Sequence, residues 1–307
     1  MTDFTFTRRQ LLKTGAGIAV SMGLPCSAWA MGTSKIGAKV LTVLSDGNLS
    51  LPLDFAFPDV PKAEIEKLLA EAGQPTDVLT PDCNVTLLRD GDRLVLFDVG
   101  AGANFMPSAG ALGDSLTEAG IDPSDITDVV FTHAHPDHIW GLVDDFDELI
   151  FSNANYLINS VEWDYWRAED TLEKTPEARK TFVIGARNRF DYLEDRIQLF
   201  KFGEEVLPGI EAVDTSGHTP GHTSFAIHDG SESVMVIGDV VTNVAVSFQH
   251  PEWPSGSDQD VETAIKTRST LLDRLAADQM GLVGFHMPNP GLGRVEKKGT
   301  AYRFAQS

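Results

Sequence analysis

The run VVFTHAHPDHIWGL, residues 129–142, places His133, His135, Asp137 and His138 within six positions, directly after apolar residues. Imidazole nitrogen and carboxylate oxygen together suit Zn²⁺ or another borderline divalent cation such as iron or manganese. In an H-x-H-x-D-H arrangement the two spaced histidines can turn to one ion while the Asp-His pair turns to a second. Three further apolar runs end in the same way. AVDTSG leads into HTPGH, which closes at His222; VMVIG leads to Asp239; GLVGF leads to His286. Adjacent strand ends on one sheet edge would bring these side chains together. Two ions need a bridge, and Asp239 is the candidate carboxylate. Cations roughly 3.5–4 Å apart can share a hydroxide, lower its pKa towards neutrality and aim it at an electrophile.

From Lys39 onward the sequence has no linker, low-complexity tract or repeat. Ten short apolar runs, from KVLTVLSDG to MGLVGFH, read as strands, and LRDGDRLVLFD carries an Asp-Gly hairpin signal. Helices are predicted for PKAEIEKLLAEAG, opening at Pro61 and stopping at Gly73, and for GDSLTEAG, stopping at Gly120. Two more are SVEWDYWRAED, with Ser160 as the candidate cap, and DVETAIKTRSTLLDRLAAD. Many strands with helices inserted in both halves suit two packed sheets with helices outside, an α/β arrangement. Pattern alone does not exclude a single doubly wound sheet.

THAHPDH, GHTPGH, GDV and the late GFH together resemble the metallo-β-lactamase superfamily of hydrolases, over residues 31–307 as one domain. The resemblance implies an αββα four-layer sandwich of two mixed β-sheets flanked by helices. It implies that His133, His135 and His222 hold one metal, that Asp137, His138 and His286 hold a second, and that Asp239 bridges them. Two zinc ions are the expected cofactor. Asp98 in FDVGAG would support the ligands by hydrogen bonds, and His218 would serve as a turn or supporting residue. Asp137 and Asp239 are the candidate proton carriers for a hydrolysis of lactones, carboxylic esters or phosphotriesters. Diiron oxygen-reducing members carry glutamate where this chain has His135. Single-iron sulfur dioxygenases share the motif letters and form the alternative. LSDGNLSLPLD, SFQHPEW and the terminal GFHMPNPGLGRVEKKGTAYRF resemble the methyl parathion hydrolase-like group, near the acyl-homoserine lactonases. One departure stands beside the site: Trp140 replaces a glycine in DHIWGL.

Among the aromatics, Trp163, Tyr165, Trp166, Phe105 and Phe190 are candidates for either core or pocket wall, and Tyr192 for a leaving-group role. His228 and His250 read as surface residues, and Cys83 as a small apolar group.

Residues 1–30 differ in kind. Arg8-Arg9, an apolar stretch from Gly15 to Leu24 and Ala28-Trp29-Ala30 read as a cleavable leader of twin-arginine type, directing a folded protein to the periplasm. The apolar stretch is about half the ~20 residues a span needs, so no stable membrane insertion is expected after cleavage. Removing the leader takes away Asp3 and three bases, Arg8, Arg9 and Lys13, and moves the net charge from −21 to −23. That acidity argues against a nucleic-acid partner or basic docking on anionic lipid. A small ester-type substrate is the expected partner, with association into a homodimer left open.

Overall fold

The computed structural model describes residues 32–307; the leader read at residues 1–30 lies outside them. The strands are β1 (Gly32–Ile36), β2 (Lys39–Asn48), the short pair β3 (Leu51–Pro52) and β4 (Val78–Leu79), β5 (Asp82–Asp90), β6 (Arg93–Phe97), β7 (Asp128–Val130), β8 (Asn155–Asn159) and β9 (Ile197–Phe200). There follow β10 (Glu205–Leu207), β11 (Ile210–Asp214), β12 (Thr223–Asp229), β13 (Glu232–Val236), β14 (Gly281–Val283), β15 (Leu292–Lys298) and β16 (Ala301–Gln306). The helices are α1 (Leu53–Ala56), α2 (Lys62–Glu71), α3 (Leu112–Glu118), α4 (Pro136–Ile139), α5 (Ser160–Arg167), α6 (Thr171–Lys174), α7 (Lys180–Asp191) and α8 (Val261–Asp278).

One seven-stranded sheet runs β1-β2-β5-β6-β7-β8-β9 and the other β10 through β16 in chain order. Both are mixed. In the first sheet β6 with β7, β7 with β8 and β8 with β9 pair in parallel, as do β13 and β14 in the second; the other pairings are antiparallel. The two-residue alternation of side chains makes the layers. Val95 and Phe97 of β6, Phe225 and Ile227 of β12, and Val236 of β13 meet in one buried cluster between the sheets. Leu94 and Leu96 point the other way, into a cluster with Leu116 of α3, Trp166 of α5 and Phe190 of α7. Ala226, Met235 and Leu282 do the same on the far side, under Leu271, Leu272 and Leu275 of α8. Helix, sheet, sheet, helix is the αββα sandwich read from the sequence.

Local chemistry accounts for most boundaries. The hairpin between β5 and β6 closes at the Asp90–Arg93 pair, with Gly91 at φ 59°, where a side chain is strained. Ile65, Leu68 and Leu69 form the buried stripe of α2. The cap of α5 is Asn159, whose Oδ1 accepts the Val161 N–H at 2.9 Å, one residue before the expected Ser160. Helix α7 was not foreseen. It has no side-chain cap, and Gly185 interrupts its pattern.

Candidate metal centre

The parallel pairs aim the site. In β13 and β14, Val236 stands opposite Val283, and three residues beyond each lie Asp239 and His286. In β6 and β7, Phe97 stands opposite Val130; Asp98 follows the first and His133 lies three residues past the second. Pro136 at the first position of α4 starts a helical turn immediately after His135. His218 and His222 come from the loop between β11 and β12.

These ends converge on two buried sets of side chains. His133, His135, His218 and Asp239 offer ligand atoms all within 4.8 Å of one another, and so do Asp137, His138, Asp239 and His286. Asp239 belongs to both. In the first set, His135 Nδ1 lies 3.0 Å from His133 Nε2 and 2.9 Å from His218 Nε2. In the second, His138 Nε2 is 3.1 Å from Asp239 Oδ1, and His286 Nε2 is 3.3 Å from Asp137 Oδ2 and 3.1 Å from Asp239 Oδ2.

The donor set fits divalent cations. Asp137 Oδ2, His138 Nε2 and Asp239 Oδ1 are buried without an aligned hydrogen-bond partner, and all three face the cluster. The outward nitrogens are held: His133 Nδ1 by Thr132 Oγ1 at 3.0 Å, His138 Nδ1 by Asp98 Oδ2 at 2.8 Å, His218 Nδ1 by Asp258 Oδ1 at 3.2 Å and His286 Nδ1 by the Asp82 carbonyl at 2.9 Å. Partners of this kind fix tautomer and ring orientation in metal sites. Asp98 fills its expected role; it also accepts the Thr132 N–H and hydroxyl, each at 2.8 Å, from a backbone at φ 64°.

The structure corrects one predicted ligand. His222 was expected in the first set, with His218 as its support; the roles are reversed. Both His222 nitrogens are already committed. Nε2 accepts the Asp239 N–H at 3.0 Å, and Nδ1 faces Thr215 Oγ1 at 2.9 Å. Burial and the neighbouring His218 hold the ring down at about 3, so it is neutral and its acceptor nitrogen is available for that N–H. His222 positions Asp239, and His218 occupies the ligand position beside His133 and His135.

Three supporting residues went unread. Glu162 of α5 is buried and accepts from four donors. They are Ala134 N at 2.9 Å, Trp166 Nε1 at 2.6 Å, Thr219 Oγ1 at 2.7 Å and Gly221 N at 3.0 Å. It ties the H-x-H turn to the H-T-P-G-H loop. Asp258 joins His218 to the buried Arg268, whose Nη2 lies 2.6 Å from its Oδ2. Gln259 sits 3.4 Å from His135 Nε2 through its amide nitrogen, while its Oε1 is buried without a partner. With His135 Nδ1 turned to the cluster, Nε2 carries the proton; rotating the amide by 180° lets Oε1 accept it and removes the orphan.

Charge in the metal-free protein is divided unevenly. Burial and the neighbouring histidines drive His133 and His135 well below the usual imidazole value. Burial also opposes a charge on His138, but Asp239, Asp137 and Asp98 overcome it and push the ring up to about 10; Asp239 and Asp137 likewise hold His286 well above its usual value. Because metal ligation needs neutral imidazole, loading at pH 7 is expected to release about two protons. Cation affinity then rises with pH until His138 titrates near 10. The stabilisation that His138 gives the metal-free fold is complete below its unfolded value and is lost as pH rises through its folded one. Calorimetric titration of the chelated protein with Zn²⁺, in two buffers of different ionisation enthalpy, counts the protons. Identical heats in both buffers would refute this charge division.

A cavity of about 290 Å³ opens onto His135, Asp137, Asp239 and His286. Its wall is apolar, with Leu49, Phe55, Phe57, Phe105, Met106 and Phe182. Of the candidate aromatics only Phe105 lines it. Trp163 and Phe190 stack in the core at 4.4 Å between ring centroids, Tyr165 and Trp166 line an adjoining cavity, and Tyr192 caps the end of α7. Trp140 turns away from the cavity that opens onto the His and Asp cluster. Its indole packs against Gly185 of α7, where a Cβ would collide with it, and beneath Arg189 at 5.0 Å. The missing side chain at Gly185 makes room for the bulk gained at Trp140.

Residues 80–278 match the family model of the metallo-beta-lactamase superfamily, and the chain belongs to that superfamily. A curated relative, "Probable metallo-hydrolase YqjP" of Bacillus subtilis (strain 168), is 42% identical over 198 residues, covering 60% of this chain and 60% of its own. The chain spans 56%, 60% and 50% of the length of the first curated relatives it matches. Among solved structures, "AidC, a Dizinc Quorum-Quenching Lactonase", in complex with a product, superposes with a TM-score of 0.86 at 28% identity, over 91% of this chain and 98% of that one. The hydrolase AbOPH superposes with a TM-score of 0.84 at 26% identity, over 91% and 98%.

Proposed function

We propose that the protein is a dinuclear metal-dependent hydrolase that opens lactones or cleaves carboxylic esters with apolar acyl groups, and that accepts phosphotriesters through the same geometry. The sharing of Asp239 between two buried ligand sets carries this reading. His133, His135 and His218 would hold one cation, Asp137, His138 and His286 the other, with Asp239 between them and zinc as the resident metal. Such a pair supplies a nucleophile at neutral pH and a Lewis acid for the oxygen of the electrophile.

The chain's own residues do the rest. The apolar wall of Phe55, Phe57, Phe105 and Phe182 takes the acyl group and excludes water from it. Asp137 and Asp239 also line the cavity beside the cluster and are the candidate residues to pass a proton towards the departing oxygen; proton transfer of this kind typically contributes 10²–10⁴-fold. The product-bound lactonase structure supports the substrate class by likeness. The leader-like residues 1–30 and the net acidity support a periplasmic protein acting on small molecules rather than nucleic acid. Among the described residues no helix is long and apolar enough to cross a membrane.

Elemental analysis of the purified protein, with a lactone, ester and phosphotriester panel on the same sample, tests the proposal. Two zinc-like ions per chain with turnover abolished by chelator are expected. One iron per chain, no hydrolysis and thiol-dependent oxygen uptake would establish the sulfur dioxygenase alternative instead.

A further inference from the structure

The cavity beside the His and Asp cluster is also lined by Arg179, a cationic side chain that the site as described does not use. Arg179 precedes α7 and lines both this cavity and the adjoining one of about 360 Å³. Its guanidinium lies over the ring of Phe55, 5.3 Å from the centroid, so it reaches across from α7 towards the α1 wall. It is half-buried. Among the described residues no carboxylate lies within 4.0 Å of it and no side-chain hydrogen bond engages it, although the chain carries 45 acids against 24 bases. The nearby buried acid, Asp258, is committed to Arg268 and His218.

Burial draws the Arg179 value down, yet a guanidinium stays charged across the working pH range. Asp258 attracts this half-buried cation from beyond ion-pair distance, so an anion entering the cavity would be the first to meet it directly. Phe55 packs against the guanidinium, and its N–H groups, which have no side-chain partner among the described residues, suit a bidentate acceptor such as carboxylate. The carboxyl formed by hydrolysis belongs at the cluster of His and Asp ligands, so the anion that Arg179 takes is a second one.

We propose that Arg179 is a specificity-determining residue that binds a carboxylate at the far end of an otherwise apolar acyl chain, the chain itself lying on the phenylalanine wall, so that the preferred substrates are lactones or esters of dicarboxylic acids. This rests on the hydrolase reading above. The test compares probes of equal length that differ only in the second carboxylate. Zinc-loaded protein is titrated with hexanoate and with adipate by calorimetry at low salt. The 4-nitrophenyl esters of hexanoic acid and of adipic acid (as monoester) are compared by kcat and KM.

The wild type is expected to bind adipate at least about tenfold tighter and to show the same ratio between the two esters, residing in KM. Arg179→Met, close in length and without charge, should erase the ratio, and Arg179→Lys should keep part of it. Matching thermal melts for the three proteins show that the variants fold. Equal binding of the two probes by the wild type, or a preference that survives in Arg179→Met, overturns the assignment. An Arg179-dependent preference in calorimetry with neither ester turned over upholds the anion site and refutes the hydrolase reading. The two failures are therefore distinguishable.

Discussion

His218→Ala is expected, on the dinuclear hydrolase reading proposed above, to reduce bound zinc from two ions per chain to one or fewer and to lower hydrolysis by about 10³-fold or more, beyond the 10–100-fold typical of losing a supporting partner. His222→Ala should keep both ions with weaker affinity. The difference follows from where the nitrogens point. His218 Nε2 lies 2.9 Å from His135 Nδ1 and 3.4 Å from Asp239 Oδ2, inside the first ligand set. His222 Nε2 is occupied by the Asp239 N–H. Removing His222 leaves that N–H buried without an acceptor, a loss of roughly 1–3 kcal/mol in stability. Asp258→Asn supplies an intermediate case: the zinc site survives with His218 less firmly oriented, and affinity falls within the 10–100-fold range. Elemental analysis after dialysis against a weak chelator ranks the three. Loss of an ion in His222→Ala with both retained in His218→Ala would restore the assignment read from the sequence.

That pair of histidines also shows where sequence reading stops. Ligand chemistry is visible in residue types, so His133, His135, Asp137, His138, Asp239 and His286 could be read from motifs at apolar run ends. The parallel pairing of β13 with β14 then places Asp239 and His286 side by side. His218 and His222 are chemically identical and share one loop. What separates them is a hydrogen bond to a backbone N–H 17 positions away, which is tertiary information. Glu162, Asp258 and Gln259 were invisible for a related reason: a lone acid or amide has no local signature until its donors converge from distant segments. The order of strands and helices suggested two sheets but left a doubly wound sheet open, and the motif resemblance decided for four layers; in the fold, Val95 and Leu96 face opposite sides of β6. The pocket wall was not. Phe55 and Phe57 come from the short α1 region, whose sequence carries no periodic pattern, whereas the conspicuous Trp163 stacks in the core.

Glu162→Ala should damage stability and metal binding together, because one carboxylate holds both ligand-bearing loops. Its Oε1 takes the N–H between His133 and His135 and the Trp166 indole; its Oε2 takes the Thr219 hydroxyl and the Gly221 N–H beside His222. Alanine leaves four buried donors unsatisfied. Water can reach some of them in the space vacated, so the expected loss is about 3–5 kcal/mol rather than the full sum of the penalties. For a domain of this size that lowers the melting temperature by roughly 10 °C. Glu162→Gln keeps one acceptor oxygen and turns an NH₂ towards two donors. It should therefore lose about half as much stability while still clashing at one loop. The metal dependence separates clamp from filler. Zinc bound by both loops should recover part of the lost melting temperature in Glu162→Gln, with zinc affinity itself reduced at least tenfold. If Glu162→Ala instead melts lower with zinc affinity unchanged, the carboxylate fills space beneath Trp166 and the ligand loops hold their positions without it.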